Sequence, residues 1–204
     1  MATPRRTQEE RTTATRRALL DATVECLVEY GYHGTTTTRV VERAGVSRGA
    51  QVHHFPTKTA LVLAAVQHLA TKRADGFIAG LHGSADWAGD LLDLLWDAHQ
   101  GPLFEASMEL WIAARTDAEL RDQVAAFERM VTTGILDLAR RMIGSDRTAD
   151  PEFRADVHLA METIRGLRLV SFVHPTSEEQ LDARWQRTRA RLHQVLAPEP
   201  SGRF

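Results

Sequence analysis

The sequence predicts an all-α protein of about nine helices. Apolar residues recur three or four positions apart in almost every segment, which is the spacing of one face of a helix. Glycine, proline or a helix-capping residue separates the segments. No segment alternates apolar and polar residues over the length that a strand requires. With 204 residues, the chain is long enough to bury a core without metal or disulfide cross-links.

Composition favours a cytoplasmic protein over a secreted or membrane protein. Cys26 is the single cysteine, so no disulfide forms within the chain, and a reducing cytoplasm fits this usage. The basic start is not followed by the apolar stretch of a signal peptide. No apolar run reaches the roughly 18 residues that a membrane helix needs. We therefore expect a soluble, cytoplasmic protein with no membrane partner.

Charge is distributed unevenly along the chain. Residues 1–73 carry 11 Lys and Arg against 6 Asp and Glu, a net charge of +5. Residues 74–204 carry 14 against 21, a net charge of −7. This asymmetry indicates a basic module that meets a polyanion, followed by an acidic module with another task.

The first four helices are predicted from their boundaries. The first covers about 10–30 and ends at Gly31, and threonines at 35–38 open the second. The third runs over 48–54, and the fourth over 58–78 after a proline.

Five more helices follow, at 87–98, 103–114, 120–142, 152–173 and 178–196. The predicted organisation is a flexible arm (1–9), a three-helix domain (10–56), a connecting helix (57–80), a helical domain (81–197) and a flexible tail (198–204).

The segment from the second to the third helix has the parts of a helix-turn-helix. Ala44 is small enough for close approach of the helices, and Gly45 allows a tight turn. Val46 enters the core, and Ser47 is a good N-cap for the third helix. This pattern predicts double-stranded DNA as a partner.

The third helix offers side chains that suit base edges in the major groove. Arginine forks onto guanine, glutamine onto adenine, and an alanine methyl touches thymine. The predicted outward residues are Arg48, Gly49, Ala50, Gln51, His53 and His54.

The sequence here resembles the TetR family of bacterial regulators over about residues 10–72. The matching elements are Thr35-Thr36, Ala44-Gly45-Val46-Ser47, Gly49, His54-Phe55 and Lys58. The resemblance implies phosphate contacts from Thr36, Ser47, His54 and Lys58, and base contacts from Arg48, Ala50, Gln51 and His53.

One departure from the family pattern lies in the third helix. The family commonly has Leu-Tyr where this chain has Gln51-Val52. The tyrosine's phosphate contact is therefore not transferred to Val52. Two alternatives stay open for Gln51, which either reads a base or packs partly inside.

The resemblance also implies a pocket for a small-molecule inducer in the second domain. Mostly apolar cavities between helices are common ligand sites, although a Met and aromatic stripe is more often simple core. The candidate lining residues are Trp96, Phe104, Met108, Trp111, Phe127, Met130, Met161 and Arg165.

The last two helices each carry an apolar stripe, and in the TetR family such a pair from each subunit forms a four-helix homodimer interface. The alternative is that the stripes complete the core of one subunit. The candidate interface residues are Leu167, Val170, Leu181, Trp185 and Leu192.

These features predict a sequence-specific transcriptional regulator, a homodimeric repressor that a ligand releases from a palindromic operator. A ligand-independent or nucleoid-type DNA-binding protein is the alternative. The sequence has no zinc, nucleophile-elbow or phosphate-loop motif, so we expect no enzyme activity, metal or cofactor.

Overall fold

The computed structural model describes residues 7–80, 85–174 and 176–197, with the backbone alone for 77–80. Every regular element in these ranges is an α-helix, which confirms the predicted fold class. The ten helices are α1 (Gln8–Gly34), α2 (Thr37–Ala44), α3 (Arg48–His54), α4 (Lys58–Gly80), α5 (Trp87–Ala98), α6 (Gly101–Ala114), α7 (Ala118–Ile143), α8 (Ser145–Thr148), α9 (Pro151–Ser171) and α10 (Glu178–Leu196).

The start of α1 lies earlier in the chain than predicted. Thr7 and Glu10 form a capping box, in which the Thr7 hydroxyl accepts from Glu10 N and the Glu10 carboxylate accepts from Thr7 N. Residues 7–9, predicted as part of a flexible arm, therefore belong to the helix and its cap. The rest of the predicted arm, the break at 81–84 and the tail at 198–204 lie outside the described residues.

The chain folds into two compact units, each built from two stretches of sequence. Unit 1 contains Met1–Arg73 and Gly101–Glu128, and unit 2 contains Ala74–Gln100 and Arg129–Phe204. This division differs from the predicted domain boundaries, since α6 and the first part of α7 group with the N-terminal helices. The physical reason is that α6 packs along α1.

Unit 1 holds two buried clusters. One lies among α1–α4 and includes Leu20, Val40, Phe55 and Leu61. The other joins α1 and α4 to α6 and the start of α7; its members include Leu27, Val62, Val66, Leu103, Leu110 and Leu120. The first cluster, through Val40 and Phe55, holds α2 and α3 against α1.

The core of unit 2 lies among α5, α9, α10 and the end of α7. Leu91, Val157 and Ile164 are fully buried there. Trp185 of α10 is 2 % exposed, and its ring stacks on Trp96 with centroids 4.5 Å apart. No helix among the described residues is long and apolar enough to cross a bilayer.

Candidate nucleic-acid interface

The turn between α2 and α3 has the geometry of a helix-turn-helix. The Thr36 hydroxyl caps α2 by accepting from Arg39 N at 3.2 Å. At the other end, Gly45 N donates to Glu42 O at 3.3 Å and Val46 N donates to Val41 O at 3.2 Å. These bonds satisfy the last carbonyls of α2 and turn the chain sharply into α3.

Gly45 is required here by its backbone conformation. Its φ is +64°, in the left-handed region, and nothing lies within 4 Å of the place where a Cβ would be. A side chain would fit the space, but the left-handed conformation costs a residue with a Cβ about 1 kcal/mol.

Ser47 begins α3 as predicted. Its hydroxyl accepts from Ala50 N at 3.2 Å, so the seven-residue helix starts at a fixed point. Arg48, Gly49 and His53 are exposed, and Ala50 is half-buried. α3 therefore presents a basic side chain, an open glycine and an imidazole to solvent.

Gln51 lies inside unit 1, so of the two alternatives left open by the sequence the structure supports packing and not base reading. It is 2 % exposed, and its Nε2 donates to Phe55 O at 2.6 Å. Phe55 N in turn donates to Gln51 O at 2.7 Å. The amide closes the C-terminal end of α3, so it is not available to a base edge.

The neighbouring residue, Val52, is exposed to 51 %. No role was predicted for this position, because valine lacks the tyrosine hydroxyl that contacts a phosphate in the family pattern. The signal that was available is the departure from the family pattern at these two positions. The polar Gln51 is thus buried and the apolar Val52 is exposed, which is the reverse of what their polarity favours.

Replacement of Gln51 by Met is expected to destabilise the protein without changing its preference among DNA sequences. Methionine keeps the volume but leaves Phe55 O without its side-chain donor, which costs about 1–3 kcal/mol. Urea unfolding and binding to a set of operator variants measure the two effects. An unchanged unfolding free energy together with lost discrimination at an adenine would contradict the structural role.

Two of the predicted phosphate contacts, Thr36 and Ser47, have exposed side chains at helix N-termini. Each hydroxyl accepts from the backbone and keeps its own hydrogen for an outside acceptor. His54 is half-buried, and its pKa is lowered by burial first and then by the nearby charges of His53 and Arg16. At neutral pH it offers a phosphate a neutral N–H donor.

Lys58 is turned toward the protein. Its Nζ donates to Tyr32 O at 2.6 Å and lies 4.1 Å from the centroid of the Tyr32 ring. Burial lowers the pKa of the Lys58 ammonium. One of its three N–H groups is therefore committed to Tyr32, and a substitution at Lys58 would disturb the start of α4 as well as any phosphate contact.

Tyr32 follows a kink in α1. Gly31 has φ +66°, and the N–H of Tyr32 donates to Glu109 Oε2 of α6 at 3.0 Å. A Cβ on Gly31 would lie 2.6 Å from the same carboxylate oxygen. Glu109 thus caps the last turn of α1, and Lys58 bonds the same turn at Tyr32 O.

Comparisons with known proteins agree with this geometry. A family model described as bacterial regulatory proteins of the tetR family matches residues 19–65. The HTH-type transcriptional regulator CymR of Pseudomonas putida is 30 % identical over 198 residues, which cover 96 % of this chain and 92 % of CymR. The chain belongs to the TetR family. The family consists of transcriptional regulators rather than enzymes, as the sequence predicted.

Two solved TetR-like structures share the fold. A TetR-family member from Streptomyces coelicolor superimposes with a TM-score of 0.65 at 23 % identity, over 89 % of this chain and 97 % of that one. FadR from Bacillus subtilis, in complex with stearoyl-CoA, gives a TM-score of 0.65 at 17 % identity, over 90 % and 99 %. At these identities the likeness concerns the fold.

The pocket residues expected of a TetR-family protein are divided between the two units. Phe104, Met108, Trp111 and Phe127 belong to unit 1. There Phe104 is 1 % exposed and meets the Trp111 ring edge-on, with centroids 6.1 Å apart. Trp111 Nε1 donates to Glu128 Oε1 at 3.0 Å. This group is held by its own contacts within unit 1.

The other four, Trp96, Met130, Met161 and Arg165, belong to unit 2. Met161 is 2 % exposed in the core, whereas Met130 is 44 % exposed. Arg165 Nε donates to Nε2 of His99 at 3.2 Å. Four of the eight predicted residues thus belong to each unit, and as a pocket they remain a prediction.

The predicted dimer residues also differ in exposure. Val170 is 39 % exposed, and Leu167 and Leu181 are half-buried. Trp185 and Leu192 are 2 % and 6 % exposed in the core of unit 2, so they are not available to a partner subunit.

A group of exposed apolar side chains lies on and just after α9, and of its members only Val170 was among the predicted interface residues. Its members are Leu159, Leu169, Phe172 and Val173 together with Val170.

Proposed function

We propose that this TetR-family protein is a homodimeric repressor that binds a palindromic operator and leaves it when a small molecule binds. The observation that carries the proposal is the capped α2–α3 turn, which presents Arg48, Gly49 and His53 outward. The net charge of +5 over residues 1–73 supplies the attraction to phosphates. A regulator of bacterial genes acts in the cytoplasm.

The exposed apolar group at α9 supports a dimer. Five large apolar side chains on and just after one helix, exposed by 39–77 %, form the kind of surface that a second subunit covers. A twofold dimer would set two copies of α3 about 34–36 Å apart, one turn of DNA, and would require an inverted repeat.

The inducer proposal is supported by the family relationship. The related fold of Bacillus subtilis FadR is known with stearoyl-CoA bound. Ligand and operator would compete through two arrangements of the dimer, so operator DNA must weaken ligand binding by the same factor that the ligand weakens operator binding.

Selection of binding sites from random DNA by the purified protein, at near-physiological salt, tests the proposal. We expect an inverted repeat with half-site centres about one helical turn apart. Recovery of no motif, with binding that falls steeply as salt rises, would indicate a nucleoid-type protein instead.

Arg48→Ala is expected to relax the preference for guanine at one position of each half-site. Loss of a bidentate arginine contact costs about 1–3 kcal/mol against the right base, or roughly 5- to 150-fold in affinity. Binding to the selected site and to its guanine variants measures the effect.

Arg17→Ala is the matched control for this substitution. It removes an exposed arginine of α1 that pairs with Asp21 at 3.7 Å and lies outside α3. Equal losses for both variants on every sequence would contradict base reading by Arg48.

A further inference from the structure

Val52 shares a face of α3 with the expected guanine reader. It lies four positions after Arg48, and residues at this spacing are neighbours on a helix surface. Both side chains are exposed, Val52 to 51 %. The inward face of the same two turns is taken by Gln51, which bonds Phe55 O.

The surface beside Val52 is open to close approach. Gly49 has no side chain, and a Cβ there would meet only the Ser47 hydroxyl, at 3.9 Å. Flanking Arg48 and His53 are exposed. A helix with a glycine between its long side chains can lie close to the base edges, so that even a short branched side chain reaches them.

The chemistry of the major groove limits what an aliphatic side chain can recognise. The base edges there present mainly hydrogen-bond donors and acceptors, and the one methyl group among them is the C5-methyl of thymine. Residues four apart are separated by about 6 Å along the helix axis, and base pairs by about 3.4 Å. A thymine read by Val52 would then lie within about two base pairs of the guanine read by Arg48.

We propose that Val52 is a specificity-determining residue that reads a thymine methyl in each half-site of the operator, beside Arg48. Gln51, the residue whose chemistry suits adenine, is removed from the reading face by its bond to Phe55. This inference rests on the proposed function, since it requires a selected operator.

Deoxyuridine substitution of the selected operator tests the proposal, because it removes only the methyl group of thymine. Each thymine of the half-site is replaced in turn, and binding is measured for the native protein and for Val52→Ala. We expect a position within about two base pairs of the guanine at which deoxyuridine weakens native binding about four-fold per half-site, the effect of one buried methyl. The same substitution should leave Val52→Ala binding unchanged.

Ala50→Gly is the matched control, because the Ala50 methyl is the other apolar group of α3 that a thymine would meet. This variant should keep the deoxyuridine effect that Val52→Ala loses. Because Val52 is exposed, Val52→Ala should have the same unfolding temperature as the native protein. Circular dichroism measures this temperature.

Three results would overturn the inference alone: a selected motif without thymine near the guanine, no deoxyuridine effect on native binding, or an equal effect on Val52→Ala. A deoxyuridine effect lost only in Ala50→Gly would assign the contact to Ala50 and overturn it as well. Failure to select any motif would overturn both this inference and the proposed function.

Discussion

Trp185→Ala is expected to lower the free energy of unfolding by about 3–5 kcal/mol, the usual cost of truncating a buried aromatic side chain. Trp185 is 2 % exposed, and its ring lies parallel to that of Trp96, with an interplanar angle of 3°. The substitution opens a cavity among α5, α9 and α10 and leaves one face of Trp96 without a partner. Urea unfolding followed by circular dichroism, at one fixed protein concentration, measures the loss.

Trp185→Phe is the control for this experiment. It keeps an aromatic ring in the site and leaves a smaller cavity, so it should cost less than the alanine variant. Sedimentation would detect a contrary outcome, in which Trp185→Ala dissociates to monomers while its free energy of unfolding stays unchanged. That result would return Trp185 to the subunit interface that the sequence predicted.

Acidification from pH 7 to pH 4 is expected to destabilise the protein by about 3 kcal/mol through His99 alone. His99 is 7 % exposed, and burial lowers its pKa to about 4. Its Nδ1 lies 2.6 Å from Leu95 O, and its Nε2 accepts from Arg165 Nε at 3.2 Å. A carbonyl only accepts, so Nδ1 carries the hydrogen and Nε2 must stay unprotonated.

The direction of the pH effect follows from the two pKa values. In the unfolded chain His99 takes up a proton below its ordinary pKa of 6.5, whereas in the folded protein it does so only below about 4. The proton therefore favours the unfolded state between these values. The stabilisation by neutral His99 is complete above pH 6.5 and is lost as the pH falls to about 4.

His99→Gln is the matched variant, because an amide can also donate to Leu95 O and accept from Arg165. Urea unfolding at pH 7, 6, 5 and 4 should give a shallower pH dependence for the variant than for the native protein. Parallel curves would show that His99 titrates normally in the folded protein.

Local signals in the sequence were sufficient for most helix boundaries. Ser47 and Gly45 act through bonds to their immediate neighbours, so the ends of α2 and α3 follow from residue type alone. The four-residue α8 was not predicted, since a single turn is too short to show a helical period.

The direction in which side chains face was harder to predict than the helices themselves. In a helix of seven residues, one hydrogen bond outweighs the apolar pattern, and the bond from Gln51 to Phe55 O places a polar residue inside and Val52 outside. Neither the spacing nor the polarity of these residues predicts that hydrogen bond.

The sequence also did not show which part of the protein an apolar stripe packs against. The sequence favoured a partner subunit for the stripe of α10 and left the core of one subunit as the alternative; Trp185 and Leu192 pack within unit 2. Periodicity identifies which face of a helix is covered and does not identify what covers it. The same limit explains why α6 was grouped with the later helices although it packs along α1.

The Glu109 cap has a consequence for how the protein is made. The last turn of α1 is capped at Tyr32 by Glu109, a carboxylate 77 positions further along the chain. Unit 1 is complete only when residue 128 has been added. At about 5–20 residues per second, the 55 residues after Arg73 take a ribosome roughly 3–11 s to synthesise. During those seconds Leu27, Val62 and Val66 lack α6, their partner in the core. The nascent chain is therefore more open to aggregation and to chaperones than the finished protein.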